Sequence, residues 1–288
     1  MLNVLIAGQH SFIGTAVERR LAAFPDRYAV RSLDMHGEGW KQFDFSPFDC
    51  VVHVAGIAHV SPKPELRPLY EAVNRDLAVA CARRAREMGV RQFIYLSSAI
   101  VFGDAAPAGE VGEITPETSP SPAGAYGRSK LEAEHGLRAL ENERFCVTIL
   151  RPMMVFGRGC KGNYNALAAM ARRAPLFPNF PNRRGMVYID DLAELIRRLI
   201  DTGEGGVFHP QTCVASTTDI ARAVAGAHGR RMLFTRAFNP LLKAAGASGV
   251  ARRAFGGFYY REDMAAHGYA PGALSLEECV ARTEEGHG

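Results

Sequence analysis

Across its first half the chain alternates short apolar runs with amphipathic stretches, and this alternation limits the possible folds more than any other feature. Asn3 to Ala7 is an apolar run closed by Gly8, and a helical pattern follows from Ile13 through Val17 and Leu21 to Phe24. Further strand-like runs stand at Tyr28–Leu33, Cys50–Ala55, Gln92–Ser97 and Cys146–Leu150. Between them lie helical patterns at Leu69–Met88 and Ala125–Leu140. Strands that are apolar on both faces and separated by helices make a parallel sheet covered by crossover helices. The expected class is α/β with a doubly wound parallel sheet, which excludes all-α and all-β folds.

The second half is less regular. Pro and Gly cluster from Pro175 to Gly185. A strand is expected at Val187–Ile189, a helix at Asp190–Ile200, a short strand at Val207–His209 and a helix at Thr217–Ala227, with Ser275 capping a last helix. A length of 288 residues suits about two domains. Arg151-Pro152 is the expected boundary. Residues 1–151 plus about 186–210 form one domain, and about 152–185 plus 211–288 a smaller second one.

Composition removes several classes. Apolar residues make up 47% and charged residues 22%, so disorder, collagen and coiled coil are excluded. No apolar run reaches the roughly 18 residues of a membrane helix. MLNVLIAG lacks a basic leader and cleavage site, so the expectation is a cytoplasmic protein without membrane insertion. Net charge is +4 (34 − 30), with no basic run interleaved with aromatics, so no nucleic-acid partner is expected. Arginine supplies most of the positive charge and suits anionic small ligands such as diphosphates. The six cysteines form no C-x-x-C pair and have no spaced histidine, which argues against a metal site or disulfide framework and for reduced core thiols.

Two constellations carry chemistry. The first is the turn Gly8-Gln9-His10-Ser11-Phe12-Ile13-Gly14, which follows a strand and opens a helix. Gly8 permits a sharp turn and Gly14 a close helix–strand approach. The helix N-terminus then offers amides to a pyrophosphate. Asp34 ends the second strand 20 residues after Gly14 (34 − 14). A carboxylate there accepts bonds from ribose hydroxyls and repels a 2′-phosphate, favouring NAD over NADP. The second constellation is Tyr126-Gly-Arg-Ser-Lys130, whose i, i+4 spacing puts phenol and ammonium on one helix face. The lysine is expected to lower the phenol's pKa, so that the tyrosine can take and return the proton of a sugar hydroxyl. Ser97 and Ser98 end a strand, where open α/β sheets hold ligands. Ser98 is expected to hold the substrate oxygen, and Ser97 to make a capping or backbone bond.

Together these residues resemble the extended short-chain dehydrogenase/reductase superfamily, and within it the NAD-dependent epimerase/dehydratase family of nucleotide-sugar enzymes. The resemblance covers nearly the whole chain. It implies a Rossmann-type sheet with a smaller C-terminal α/β substrate domain. Its G-x-x-G-x-x-G turn is matched by Gly8, Phe12, Ile13 and Gly14, with Ser11 for the middle glycine and His10 beside it. The acid–hydrophobe pair near the adenine looks like Asp44-Phe45, and the H-x-A-(A/G) motif like His53-Val54-Ala55-Gly56. Asn74 matches the asparagine of the next helix. Ser98 to Gly103 matches S-x-x-V-Y-G, with Phe102 replacing tyrosine. Arg151-Pro152 and Val155-Phe156-Gly157 match R-P-x-x-V-Y-G, placing Pro152 on the nicotinamide side. The resemblance thus makes Ser98, Tyr126 and Lys130 catalytic. It puts the cofactor on the glycine turn, Asp34, Asp44, Phe45, Val54, Ala55, Gly56, Asn74, Ser97, Tyr126, Lys130 and Pro152.

For the substrate, Arg184 matches the arginine that the family uses on the nucleotide diphosphate. Lys161-Gly162-Asn163-Tyr164 looks like the K-G-N-(Y/F) segment of polysaccharide epimerases and 4-keto-sugar reductases, making Lys161 and Asn163 sugar or diphosphate contacts. The tail from Tyr259 to Thr283 resembles the family's closing segment, with Arg252, Arg253 and Arg261 as candidates for a second diphosphate arginine. Dehydratases carry Asp-Glu after the catalytic hydroxyl and UDP-glucuronate decarboxylases an acid at the second position, whereas here Ala99 and Ile100 cannot transfer protons. The fucose-synthase type has a cysteine just after the serines. What remains is 4-epimerisation of a UDP-hexose or UDP-N-acetylhexosamine, with reduction of a UDP-4-keto sugar as the alternative. A non-catalytic nucleotide sensor and a non-sugar ketone acceptor rank lower. The carrier is UDP or a lipid diphosphate. Family expectation adds a homodimer through the Tyr126 helix and the long helix before it.

Overall fold

The computed structural model describes residues 1–58, 64–265 and 272–285. Residues 266–271 of the resembling tail therefore lie outside the described residues. In chain order the elements are β1 (Leu2–Ala7), α1 (Phe12–Ala22), β2 (Tyr28–Leu33), β3 (Cys50–His53), α2 (Arg67–Tyr70), α3 (Leu77–Glu87), β4 (Gln92–Leu96), β5 (Glu113–Ile114), α4 (Ala125–Arg138), β6 (Cys146–Leu150) and β7 (Met154–Phe156). Then come α5 (Asn163–Ala171), β8 (Leu176–Pro178), β9 (Arg184–Tyr188), α6 (Ile189–Thr202), β10 (Gly206–Phe208), β11 (Cys213–Ala215), α7 (Thr217–Ala227), β12 (Leu233–Thr235), α8 (Asn239–Ala244), α9 (Gly249–Phe255), β13 (Tyr259–Tyr260), α10 (Glu262–Ala265) and α11 (Leu276–Glu284). The chain divides into two units.

Unit 1 comprises Met1–Gly103, Ser119–Pro152 and Leu192–Phe208. Its six strands pair in parallel in the order β10-β6-β4-β3-β1-β2, the expected doubly wound sheet. From β1 the chain runs out to β2, then crosses back to β3 on the other side. That reversal opens a crevice at the carboxyl ends of β1 and β3, where such sheets bind ligands. Strands β3 and β4 are buried along their full length, which accounts for their continuous apolar sequence. One face packs Leu5, Val51, Phe93, Tyr95 and Ile149 against the small side chains Ala78, Ala82, Ala85 and Ala133 of α3 and α4. The expected single helix Leu69–Met88 is interrupted by a π-helical stretch, Glu71–Asp76, between α2 and α3. Side-chain periodicity does not reveal such a local widening, which is frequent at functional sites.

Unit 2 comprises Asp104–Thr118, Met153–Asp191 and His209–Gly288. Its sheets are small: β11-β9-β7, β12-β8 and β13-β5. The stretch 104–118, expected with the first domain, belongs here because Glu113–Ile114 pair with Tyr259–Tyr260. The returning segment of unit 1 is Leu192–Phe208, shorter than the expected 186–210, since β9 pairs with β7 and β11 of unit 2. Ser275 caps α11 through a reciprocal capping box with Glu278, as expected. Among the described residues no helix is long and apolar enough to cross a membrane.

Candidate active site

The turn after β1 sits at the reversal of strand order. The Gly8 and Gln9 amides both donate to Leu33 O at 3.0 Å, and the Val54 and Ala55 amides donate to Ala7 O at 2.9 and 3.0 Å. Gly8 has φ +130°, and a Cβ there would lie 2.7 Å from Ala55 N and 2.9 Å from Val54 Cγ2. Only glycine fits both the angle and the gap. A Cβ on Gly14 would lie 2.5 Å from Ser11 Oγ and 3.1 Å from Ile6 Cγ2, which is the close helix–strand approach expected there. Ser11 stands in extended backbone (φ −70°) and caps α1, its hydroxyl accepting from Gly14 N–H at 3.1 Å. No glycine is needed at that position, and the hydroxyl keeps its proton to donate. His10 takes the left-handed conformation instead (φ 62°). The first-turn amides of Phe12 and Ile13 have no acceptor within the helix, as at any helix start.

Asp34 is exposed just past β2. It accepts from the His36 amide at 3.0 Å and faces the His36 ring nitrogen at 2.7 Å. The amide first, and then the ring, hold its carboxyl below its ordinary value, so it is ionised at neutral pH. Asp44 is exposed and caps its own turn through Ser46 N–H at 2.9 Å. The Phe45 ring is fully buried in the unit 1 core, so only its backbone can face a ligand. Asn74 is also fully buried: its oxygen accepts from Ile57 N–H at 2.9 Å, and its nitrogen donates to Ile57 O at 3.1 Å and Ser129 Oγ at 3.2 Å. Its amide is spent holding the loop after Ala55. A Cβ on Gly56 would lie 3.0 Å from Asn74 Oδ1 and 3.4 Å from Lys130 Nζ.

Tyr126, Ser98 and Lys130 meet beside this loop. Tyr126 opens α4 and is half-buried against Tyr70, with ring centroids 5.9 Å apart. Ser98 stands beside the Tyr126 phenol and acts to lower its pKa. Ser98 also accepts from Ile100 N–H at 3.3 Å, so it is Ser98 that makes the capping bond expected of Ser97. The Ser97 hydroxyl donates to the Glu134 carboxylate instead. Lys130 is buried; its ammonium donates to Leu96 O at 2.7 Å and lies 4.7 Å from the centre of the Tyr95 ring. The expected lowering of the Tyr126 pKa is not found. Burial pushes the phenol up to about 12, opposed by Ser98, while the Lys130 charge is directed at Leu96 and Tyr95. Burial also pulls Lys130 down to about 8, opposed by Glu134. Pro152 lies at the end of β6, and its carbonyl accepts from Ala99 N–H at 3.0 Å.

The remaining candidates lie in unit 2. Lys161 is exposed, and Asn163 opens α5 after Gly162 (φ +95°). Arg184 opens β9 and donates to the Arg253 carbonyl; burial lowers its pKa to about 10. A cavity of about 510 Å³ in this unit is lined by Arg183, Gln211, Cys213, Tyr259 and Arg261 among others. Of the three candidate second arginines it holds only Arg261. Arg183, which the sequence did not single out, stacks 4.2 Å over the Tyr259 ring and donates to its hydroxyl at 3.1 Å. Adjacency to Arg184 was its only signal.

A reversed parallel sheet, a glycine turn at the reversal and a Ser–Tyr–Lys group beside it define a nucleotide-dependent oxidoreductase of the Rossmann class. The family model of the NAD-dependent epimerase/dehydratase family matches residues 4–209. The chain belongs to that enzyme family, whose cofactor is NAD. It is 33% identical over 221 residues to a UDP-glucose 4-epimerase of Vibrio cholerae, a match covering 69% of this chain and 66% of that protein, just under two thirds of its length. The fold is similar to a Thermus thermophilus UDP-glucose 4-epimerase solved with NAD (TM-score 0.74, 21% identity, 98% and 97% of the two chains). It is nearly as similar to a Bacillus anthracis dTDP-4-dehydrorhamnose reductase solved with NADP (TM-score 0.72, 19% identity, 98% and 99%).

Proposed function

We propose that this protein is an NAD-dependent nucleotide-sugar 4-epimerase acting on a UDP-hexose or UDP-N-acetylhexosamine. The observation that carries the reading is Ser98 beside the Tyr126 phenol, close enough to oppose the rise of its pKa, with Ala99 and Ile100 after it having no proton to give. A site with one proton-transfer pair can oxidise and re-reduce a carbinol but cannot eliminate water.

The residues present fit NAD. Gly8 leaves the turn open, the α1 N-terminus presents amides to a pyrophosphate, and an ionised Asp34 faces the place of a ribose and disfavours a 2′-phosphate. NAD held there would supply a hydride acceptor and donor for the sugar C4. The chain supplies the rest. Ser98 orients the C4 hydroxyl, and Tyr126 removes its proton and later restores it. Its phenol, pushed up to about 12, is protonated at neutral pH, so proton removal requires a positive charge to stabilise phenolate. Lys130, one helical turn away, would have to turn its ammonium from Leu96 toward the phenol to supply it. Arg184 binds the diphosphate, with Lys161 and Asn163 toward the sugar and Arg261 as the second arginine.

The second reading is reduction of a UDP-4-keto sugar by the same residues, with Tyr126 giving the proton to O4.

The test uses protein as purified, without added cofactor. UDP-glucose, UDP-galactose and their N-acetylated forms are incubated with it, and the anomeric signals are followed by NMR. Appearance of the C4 epimer is expected. No change with folded protein, together with oxidation of added NADH by a 4-keto sugar, would replace this reading with the reductase one.

A further inference from the structure

Glu134 lies one turn beyond Lys130 on α4, as Lys130 lies one turn beyond Tyr126, so the three share a helix face. Only 1% of Glu134 is exposed. A carboxylate at that depth stays ionised only if its oxygens are matched by donors. Here Arg151 donates from Nε to both oxygens, at 3.1 and 3.2 Å, and from Nη2 to Oε2 at 2.6 Å. The Ser97 hydroxyl donates to Oε1.

Each partner belongs to a different wall of the site. Ser97 immediately precedes Ser98 at the end of β4. Arg151 immediately precedes Pro152 at the end of β6, and Pro152 O receives Ala99 N–H. The Arg151 guanidinium also lies 5.0 Å from the centre of the Phe102 ring, which ends the turn that Ser98 begins.

We infer that Glu134 is a positioning residue of this site: its carboxylate ties the ends of β4 and β6 to α4 and so fixes Ser98 beside the Tyr126 phenol. The inference rests on the catalytic reading of Ser98, Tyr126 and Lys130 given above. Glu134 has a second effect through charge, because it opposes the loss of the Lys130 proton on burial. The other titratable groups facing Lys130 are Tyr95 from β4 and His53 from β3, which burial keeps neutral, with Arg151 behind Glu134 at the end of β6.

Glu134→Gln keeps the size and removes the charge. With the UDP-hexose that the enzyme turns over, kcat is expected to fall about tenfold or more while KM stays within about threefold. The Lys130 titration midpoint, read by NMR in a chain with only five lysines, is expected to fall by about one unit. Glu134→Asp should recover part of kcat. Wild-type kcat in folded Glu134→Gln, or an unmoved Lys130 midpoint, overturns the inference. Should Glu134→Gln not fold, Ser97→Ala decides: a several-fold loss of kcat supports the role, and unchanged kcat overturns it. Tyr126→Phe is measured alongside. Activity retained there refutes the catalytic reading itself, whereas an inactive Tyr126→Phe beside a fully active Glu134→Gln refutes only the positioning role.

Discussion

The two units are held together in different ways. In unit 1 the interior is an apolar cluster between parallel strands and alanine-rich helices, and the polar groups with chemistry sit at strand ends and on α4. In unit 2 buried polar side chains cross-brace loops and helices and the strand β13. Asn182 donates to Thr217 Oγ1 at 3.0 Å and accepts from Thr217 N–H at 2.9 Å. Gln211 exchanges hydrogen bonds with the Tyr260 backbone at 3.0 and 2.9 Å. Glu284 of α11 takes bonds from Tyr164 at 3.0 Å, Arg172 at 2.6 Å and His228 at 2.9 Å. A hydrophobic sheet fixes register and therefore fixes where a proton acceptor stands. Polar braces specify one loop arrangement yet can be exchanged pair by pair, which suits a region that chooses among substrates.

Tyr126→Phe should break the chemistry and leave everything else. Turnover should fall by about three orders of magnitude, within the range of a lost acid–base group. Bound NAD and the thermal midpoint should stay near wild type, and activity within tenfold of wild type would contradict the assignment. Glu284→Gln strikes the other region. It leaves Arg172 and His228 facing a neutral amide in a buried site, at a cost of about 3 kcal/mol, visible in urea unfolding. NAD retained on unit 1 would sharpen the contrast between the units, and its parallel loss would erase it.

Gly8→Ala forces a Cβ into φ +130° and against Ala55 N. Strain of about 1–3 kcal/mol should weaken cofactor binding by about ten- to a hundredfold, read by NAD titration. The smallest effect concerns pH. Bonds first from Arg197, then from Arg20 and Arg198, lower the Glu194 carboxyl from 4.5 to about 2. Since the folded value lies below the unfolded one, this stabilisation is complete above pH 4.5 and is lost as pH falls toward 2. Glu194→Gln should flatten the acid limb of the stability profile in that window. An unchanged limb would mean that the three arginines do not act through Glu194.

Legibility in the sequence follows the same division. The sheet of unit 1 could be read because both-face burial writes continuous apolar runs, and Tyr28–Leu33 begins and ends where expected. Gly8, Gly14 and Ser98 could be read because backbone approach and strand ends restrict residue type. Glu134 could not, although its i, i+4 spacing after Lys130 was visible, because a carboxylate on a helix is usually solvated and only Arg151 and Ser97 from distant strands reveal its burial. That Ser98 makes the capping bond while Ser97 turns to Glu134 depended on side-chain direction at one strand end. In unit 2, residues 104–118 could not be assigned because their partners lie more than a hundred residues onward, at Gly246, Gly256 and Tyr259. Pairings of that range leave no local periodicity.

The most direct test of the central claim is to supply the UDP-hexose with deuterium at C4 and examine the product by NMR. If Tyr126 moves only the hydroxyl proton while the C4 hydrogen leaves and returns within the site, the epimer will carry deuterium at C4 with inverted configuration. Deuterium lost to solvent protons in the inverted sugar would contradict the account.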